Sequence, residues 1–281
     1  MQNLVIYHGN CYDGVTAAYV CWLKFKETAE YVSFNYSDKP PNVEGRNVII
    51  VDFSFKRDAI LKMKEEAKSL LILDHHKTAE KELENLDYAI FDMERSGAGL
   101  AWDYYFGDNA MHAGPGNNRP ILVNYIEDRD LWRFKLTNSK EINAWIQSWD
   151  IDLHTWIKEV SRVDDFAFQD IVNEGKTLLR QQDKLVKSIC YNAELKNINQ
   201  PDGHINSGPY VQTSILMSEV CDQMLKISPT SQFAWYSFKR KDGKYQYGLR
   251  SRSNFDVSII AKQFGGGGHK QAAGFELDYQ L

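Results

Sequence analysis

The stretch Leu70-Leu71-Ile72-Leu73-Asp74-His75-His76 decides how this sequence is read. Four consecutive apolar residues suit a strand buried on both faces of a parallel sheet, where neither face meets water. The same tetrad recurs at Leu4–Tyr7 (LVIY), Val48–Val51 (VIIV) and Tyr88–Phe91 (YAIF). Between the tetrads, Val15–Phe25 and Lys56–Lys68 have helical patterns, with Ile60, Leu61, Met63 and Ala67 roughly on one face of the second. Strands alternating with helices predict an α/β fold built on a doubly wound, mostly parallel sheet.

Beyond Gly97 the pattern turns mostly helical. Ala98–Tyr105 and Ile121–Ile126 carry apolar residues at helical spacing, separated by a Gly- and Asn-rich loop, Gly107–Asn118. Val163–Leu195 reads as one long helix or two, and its lack of proline favours a helical connector over a flexible linker. The turn-rich stretch Asn197–Pro209 is the best candidate boundary. A helix around Ser214–Lys226 comes next, then two strands, Gln232–Lys239 and Tyr245–Arg252, joined through Asp242-Gly243 as a hairpin. A short helix at Asp256–Phe264 and a last strand at Gly274–Leu277 complete a smaller C-terminal α+β domain. The expected division is 1–160, a helical connector over 161–200, and 201–281.

Composition removes several classes of function. Of 281 residues, 33 are Lys or Arg and 38 Asp or Glu, a formal net charge of −5, which argues against wrapping duplex nucleic acid by overall charge. Hydrophobic residues make up 43% of the chain, enough for a core. No run approaches 18 apolar residues, so no membrane span is expected. The opening MQNLVIYHGN lacks a positive region before its apolar run and reads as a first strand, not a signal peptide. Cys11, Cys21, Cys190 and Cys221 form no C-x-x-C pair, so the expectation is reduced thiols in a cytoplasmic protein.

The chemistry lies in the residues just beyond each tetrad. LVIY is succeeded by His8, VIIV by Asp52, and LLIL by Asp74-His75-His76. Ligands of open parallel sheets bind beyond the carboxyl ends of the strands, so these residues would converge on one crevice. Asp13 could reach it too, or simply cap a helix. Asp92 also stands after a tetrad but has no histidine beside it, and His112, His154 and His204 lie in surface-like settings. Carboxylate oxygens and neutral imidazoles together suit Mn²⁺, with Mg²⁺ or Co²⁺ close behind. There is neither a Walker loop nor a Ser-His-Asp elbow.

His8…Asp13, Asp52, Asp74-His75-His76 and a downstream Asp128, in this order, resemble the motifs of the DHH phosphoesterase superfamily. Gly265-Gly266-Gly267-Gly268-His269-Lys270-Gln271-Ala272-Ala273-Gly274 resembles the glycine-histidine motif of its DHHA1 domain. The resemblance implies two Mn²⁺ ions that activate a bridging water to attack phosphorus. It implies His8 on one ion, Asp13, His75 and Asp128 on the other, and Asp52 between them. Asp74 would be a ligand or an orienting partner, and His76 would stand beside the scissile phosphate. Asp130 competes with Asp128, which is preferred, and Asn10 stands where many members carry a second aspartate.

For the C-terminal motif, the glycines can bring backbone N–H groups close to an anion. Arg250, Ser251, Gly266, Gly267, Gly268 and His269 are therefore expected to bind substrate, in a domain that in the family faces the metal crevice. Together these features imply a metal-dependent phosphodiesterase for short oligonucleotides or small nucleotides. Its neighbours are a cyclic- or linear-dinucleotide phosphodiesterase and a 3′-phosphoadenosine 5′-phosphate phosphatase. A reading of another class is a catalytically silent nucleotide-binding module. The expected partners are a short nucleic acid or nucleotide and no membrane, with a homodimer open to it.

Overall fold

A computed structural model describes residues 2–35, 38–107, 119–164, 168–252 and 254–281. The chain divides into two compact units, Met1–Leu179 and Arg180–Leu281. All but the first residue of the expected loop Gly107–Asn118, His112 included, lies outside the described residues.

The first unit is built on five parallel strands: β1 (Asn3–His8), β2 (Ala29–Phe34), β3 (Asn47–Val51), β4 (Ser69–Asp74) and β5 (Ala89–Phe91). Their order is β2-β1-β3-β4-β5. The four apolar tetrads all fall on strands, the fourth without Tyr88. The fifth strand, β2, has no counterpart in the sequence reading, because Ala29-Glu30-Tyr31-Val32-Ser33-Phe34 is not an apolar run. As an edge strand with one hydrogen-bonded neighbour it can be half polar, and only Ala29 is buried.

The order 2-1-3-4-5 reverses direction between β1 and β3, which is where doubly wound sheets open a crevice. Helices cover both faces. On one lies a core containing Val5, Tyr7, Val51 and Leu73 with α1 (Tyr12–Phe25), α4 (Gly97–Phe106) and α5 (Ile121–Asp130). On the other lie Leu4, Ile6, Ile50 and Ile72 with α2 (Arg57–Glu66). Alternate residues of one strand thus feed opposite cores, and each fully buried aliphatic side chain contributes roughly 1.5–3 kcal/mol. A short α3 (Lys77–Glu82) succeeds the His pair; α6 (Ser139–Ile146) and α7 (Leu153–Lys158) complete the helical part.

The long helix of the sequence reading is α8, Phe168–Cys190. The turn-rich stretch, read as a boundary, is part of a hairpin: β6 (Glu194–Asn199) pairs antiparallel with β7 (Ile205–Gln212) across it. Gly203 sits at its tip with φ 88°, and turn residues look alike in hairpins and linkers. The second unit then runs α9 (Met217–Ile227), β8 (Phe233–Lys239), β9 (Tyr245–Ser251), α10 (Val257–Gln263), β10 (Gly267–Gly268) and β11 (Ala272–Leu277). Its sheet order is β10-β11-β9-β8-β7-β6, with β7 and β8 parallel and the other pairs antiparallel.

Gly175 tests how α8 is docked. In a helix interior alanine is ordinarily better than glycine by about 1 kcal/mol. A Cβ here, however, would stand 2.1 Å from the Glu141 carbonyl oxygen of α6. Gly175→Ala is expected to lower the melting temperature, and a rise in a thermal melt would show that α6 gives way.

Candidate metal centre

Strands β1 and β4 end on His8 and Asp74, and β3 leads directly into Asp52. Asp52 comes directly after β3 in the left-handed region, φ 54°, a conformation that costs a non-glycine residue about 1–3 kcal/mol and persists only when its surroundings over-determine it. Its N–H is tied to the Leu73 carbonyl of β4 at 2.9 Å. Two glycines allow the approach. A Cβ on Gly14 would lie 2.3 Å from the His8 carbonyl oxygen, and one on Gly97 2.4 Å from Asp52 Cβ.

Asp52 is the meeting point. Its Oδ1 is 3.1 Å from His75 Nε2 and its Oδ2 is 3.5 Å from His8 Nδ1. His75 Nε2 also lies 3.6 Å from Asp13 Oδ2 and 3.6 Å from Asp130 Oδ2. Two groups of donor atoms, His8–Asp52–His76 and Asp13–Asp52–His75, each lie within 4.8 Å of one another, and Asp52 belongs to both. Either group could hold a divalent metal ion.

The charges fit such an ion. Burial pushes Asp13 well up, and the charges of Asp52 and Asp130 push it further. Asp130 is likewise raised by burial and by Asp52. Burial would raise Asp52 as well, but the imidazoles of His75 and His8 beside it outweigh that and hold this carboxyl well below its usual range. Burial would lower His75, yet the bond to Asp52 and the charges of Asp130 and Asp13 raise it well above an ordinary imidazole. Asp52 Oδ2 is buried without a hydrogen-bond donor among the described residues. A surplus of buried carboxylate, partly relieved by one imidazole, is what a hard or borderline cation neutralises.

Asp74 faces inward differently. Its Oδ1 accepts the N–H of His75 at 2.7 Å and of His76 at 3.3 Å, and meets His76 Nδ1 at 2.7 Å. It holds the His76 ring and the His75 backbone, while its Oδ2 is buried without a hydrogen-bond donor among the described residues. Burial would lower His76, but the charge of Asp74 and the bond to it raise that imidazole, which favours its protonated form.

The structure brings Asp130, and not Asp128, to the cluster. Asp128 accepts from the N–H groups of Lys135 at 2.8 Å and Leu136 at 3.3 Å and from the Ser139 hydroxyl at 2.6 Å. Residues two apart on a helix face different ways, so only one of the pair can enter the crevice. Spacing in the sequence cannot tell which.

Sequence reasoning also missed the support behind Asp13. The N–H groups of Gly97 (2.5 Å) and Ala98 (3.0 Å), at the start of α4, both donate to its carboxylate. That helix end is held by Glu127, which accepts from Ser96 N, from Arg95 and, in a two-pronged bond, from Arg119. A Cβ on Gly99 would lie 1.9 Å from Glu127 Oε2. The signal available was Ser96-Gly97-Ala98-Gly99, a capping serine ahead of small residues.

In the second unit the glycine motif is a tight turn. Gly265 has φ 78°, and the N–H groups of Gly265 and Gly266 go to the carbonyls of Lys262 and Ala261 at the end of α10. Gly266 therefore caps a helix and does not present its N–H to an anion. Gly267 and Gly268 pair with Gly274 and Ala273 in β11, and His269 closes the turn through its N–H to Ala272 O at 2.8 Å. Arg250 donates to Ser218 Oγ at 3.1 Å and to Leu249 O, and Ser251 Oγ to Phe255 O at 2.7 Å.

The neighbouring acidic residues should respond differently to substitution. Asp130→Asn is expected to weaken Mn²⁺ binding by isothermal titration at nearly unchanged melting temperature. Asp128→Ala should do the reverse, losing about 3 kcal/mol of stability with its buried charged bonds; equal metal affinities would refute the assignment. Glu127 is set by burial, which raises it, and by its arginine bonds, which outweigh burial and lower it. A lowered carboxyl stabilises the fold above its unfolded value of about 4.3 and loses that contribution as pH falls through its folded value. Glu127→Gln should cost about 3 kcal/mol at neutral pH. The gap from wild type in thermal melts should close below about pH 4; a constant gap would contradict the pairing.

The DHHA1 domain model matches residues 212–280. A protein of Acanthamoeba polyphaga mimivirus, described as uncharacterized protein R106, is 30% identical over 304 residues, an alignment covering 97% of this chain and 66% of that protein. The chain thus spans slightly under two thirds of this relative. Among solved structures, the pGpG-specific phosphodiesterase PggH from Vibrio cholerae matches with TM-score 0.53 and 14% identity over 99% of this chain and 93% of that one. RecJ from Thermus thermophilus, in complex with Mn²⁺, matches with TM-score 0.52 and 13% identity over 98% of this chain and 49% of that one. At such identities these two likenesses speak for the fold. Residues 212–280 thus match a DHHA1 domain, and they come after a parallel sheet whose third and fourth strands lead into Asp52 and Asp74-His75-His76.

Proposed function

We propose that this protein is a divalent-metal-dependent phosphodiesterase that hydrolyses short oligonucleotides or small nucleotides, with two Mn²⁺ ions as its cofactors. The observation that carries the reading is the position of Asp52, shared by two groups of donor atoms that each suit one ion. The names of two proteins of similar fold support it: one is a pGpG-specific phosphodiesterase, the other is in complex with Mn²⁺.

In this reading His8 and Asp52 hold one ion, and Asp13, Asp52, His75 and Asp130 the other. Paired divalent ions supply a nucleophile from water at neutral pH and offset charge on both the attacking and leaving oxygens of a phosphodiester. The chain's own residues do the rest. Gly97 and Ala98 fix Asp13 through their N–H groups, and Asp74 fixes the His76 ring and the backbone of His75. His76, whose ring Asp74 holds at 2.7 Å, is assigned to the substrate, where an imidazole can stabilise or protonate a phosphoryl oxygen. In the second unit, Arg250, Ser251, Gly267, Gly268 and His269 are the proposed nucleotide contacts. Mg²⁺ or Co²⁺ suits the same donors, and a homodimer and a cytoplasmic location belong to this reading as well.

The test is hydrolysis by the full chain, with and without Mn²⁺, of a dinucleotide, a longer RNA, a cyclic dinucleotide and 3′-phosphoadenosine 5′-phosphate. Metal-stimulated turnover of a short substrate is expected, reduced to background in Asp52→Ala. No stimulated turnover of any of the four would defeat the proposal.

A further inference from the structure

Directly after Asp130 the chain does what bulky residues avoid. Trp132 and Phe134 both adopt left-handed backbone, φ 54° and 47°. Such strain in non-glycine residues gathers at functional sites and survives only under strong local constraint. The constraint here is Asp128 and its neighbour. The Trp132 N–H donates to Arg129 O at 2.8 Å, and those of Arg133 and Phe134 donate to Asp128 O at 2.8 and 3.2 Å. The next two, of Lys135 and Leu136, donate to the Asp128 carboxylate. Five successive N–H groups are thus turned onto two residues, and the Arg133 guanidinium adds a bond to Glu94 O at 2.7 Å.

What this rigid loop displays is an indole. Trp132 is 38% exposed, unusual for a residue that normally buries most of its ring. The Phe134 ring packs against it edge-on, centroids 4.9 Å apart and planes at 81°, and the Lys140 ammonium lies over Phe134 at 5.6 Å. Chain geometry keeps the Trp132 Cα within about 8 Å of that of Asp130, which meets His75. The fold itself gains nothing from an exposed tryptophan in a strained conformation that glycine would adopt freely. A preorganised aromatic face also loses little freedom on binding.

We propose that Trp132 is the platform on which a base of the substrate stacks, so that the site takes phosphodiesters carrying nucleobases. This rests on the phosphodiesterase reading and narrows it. Every base has a π-face, so the platform accepts all four with little preference. Removing such a platform costs roughly 5- to 150-fold in binding per base.

The experiment compares wild type, Trp132→Ala and Trp132→Phe, full-length with Mn²⁺, on a ribodinucleotide and on the same molecule with one base removed. Trp132→Ala is expected to raise KM for the intact dinucleotide about tenfold or more and to abolish its advantage over the abasic one. Trp132→Phe, with the same backbone strain and a ring that still stacks, should recover most of the advantage. Equal rises in KM on both substrates, or none, overturn the proposal. Equilibrium dialysis of AMP against ribose 5-phosphate, on metal-free protein, makes the same comparison without turnover. Selective loss of AMP binding in Trp132→Ala would uphold the platform even if wild type hydrolysed nothing, whereas wild type that binds both alike would overturn it.

Discussion

Three carboxylates, Asp13, Asp52 and Asp130, stand around the one imidazole of His75, and the arrangement of the crevice depends on that crowding. Like charges so close in a low-dielectric setting cannot all be ionised at ordinary cost. Burial first, and the charge of Asp52 after it, push the carboxyls of Asp13 and Asp130 up. The crowding persists because each carboxylate is placed by backbone that cannot move away: a left-handed residue after β3, a helix start pinned by Gly97 and Ala98, and the last turn of α5.

That last turn does three jobs with four residues. Glu127 gathers Arg95, Arg119 and Ser96 and so steadies the helix end behind Asp13. Asp128 folds the adjoining loop onto itself. Asp130 enters the cluster. Successive side chains on a helix diverge by about 100°, so one short acidic run can brace a neighbouring helix, shape a loop and supply a donor at once. Substitutions within Glu127-Asp128-Arg129-Asp130 should therefore differ in kind as well as in size.

Much of this was legible in the order of residues, and the exceptions are instructive. The tetrads announce four strands because a parallel sheet leaves no polar face to alternate with. The residues after three of them announce a crevice because strand ends are where such sheets bind. Edge strand β2 was not legible, since an edge can be half polar. Nor was the hairpin between β6 and β7, because its turn residues read equally as a domain boundary.

By itself the sequence determined the α/β class, the positions of His8, Asp52 and Asp74-His75-His76 at strand ends, and the glycine-histidine motif near the C-terminus. These come from local patterns of burial and backbone freedom. Tertiary structure alone decided that Asp130 and not Asp128 meets His75, that Gly97 and Ala98 hold Asp13, and that Gly266 caps α10. Each of these is a matter of direction, the way a side chain or N–H points once helices and strands have packed. Spacing along a chain carries no information about direction until the packing exists.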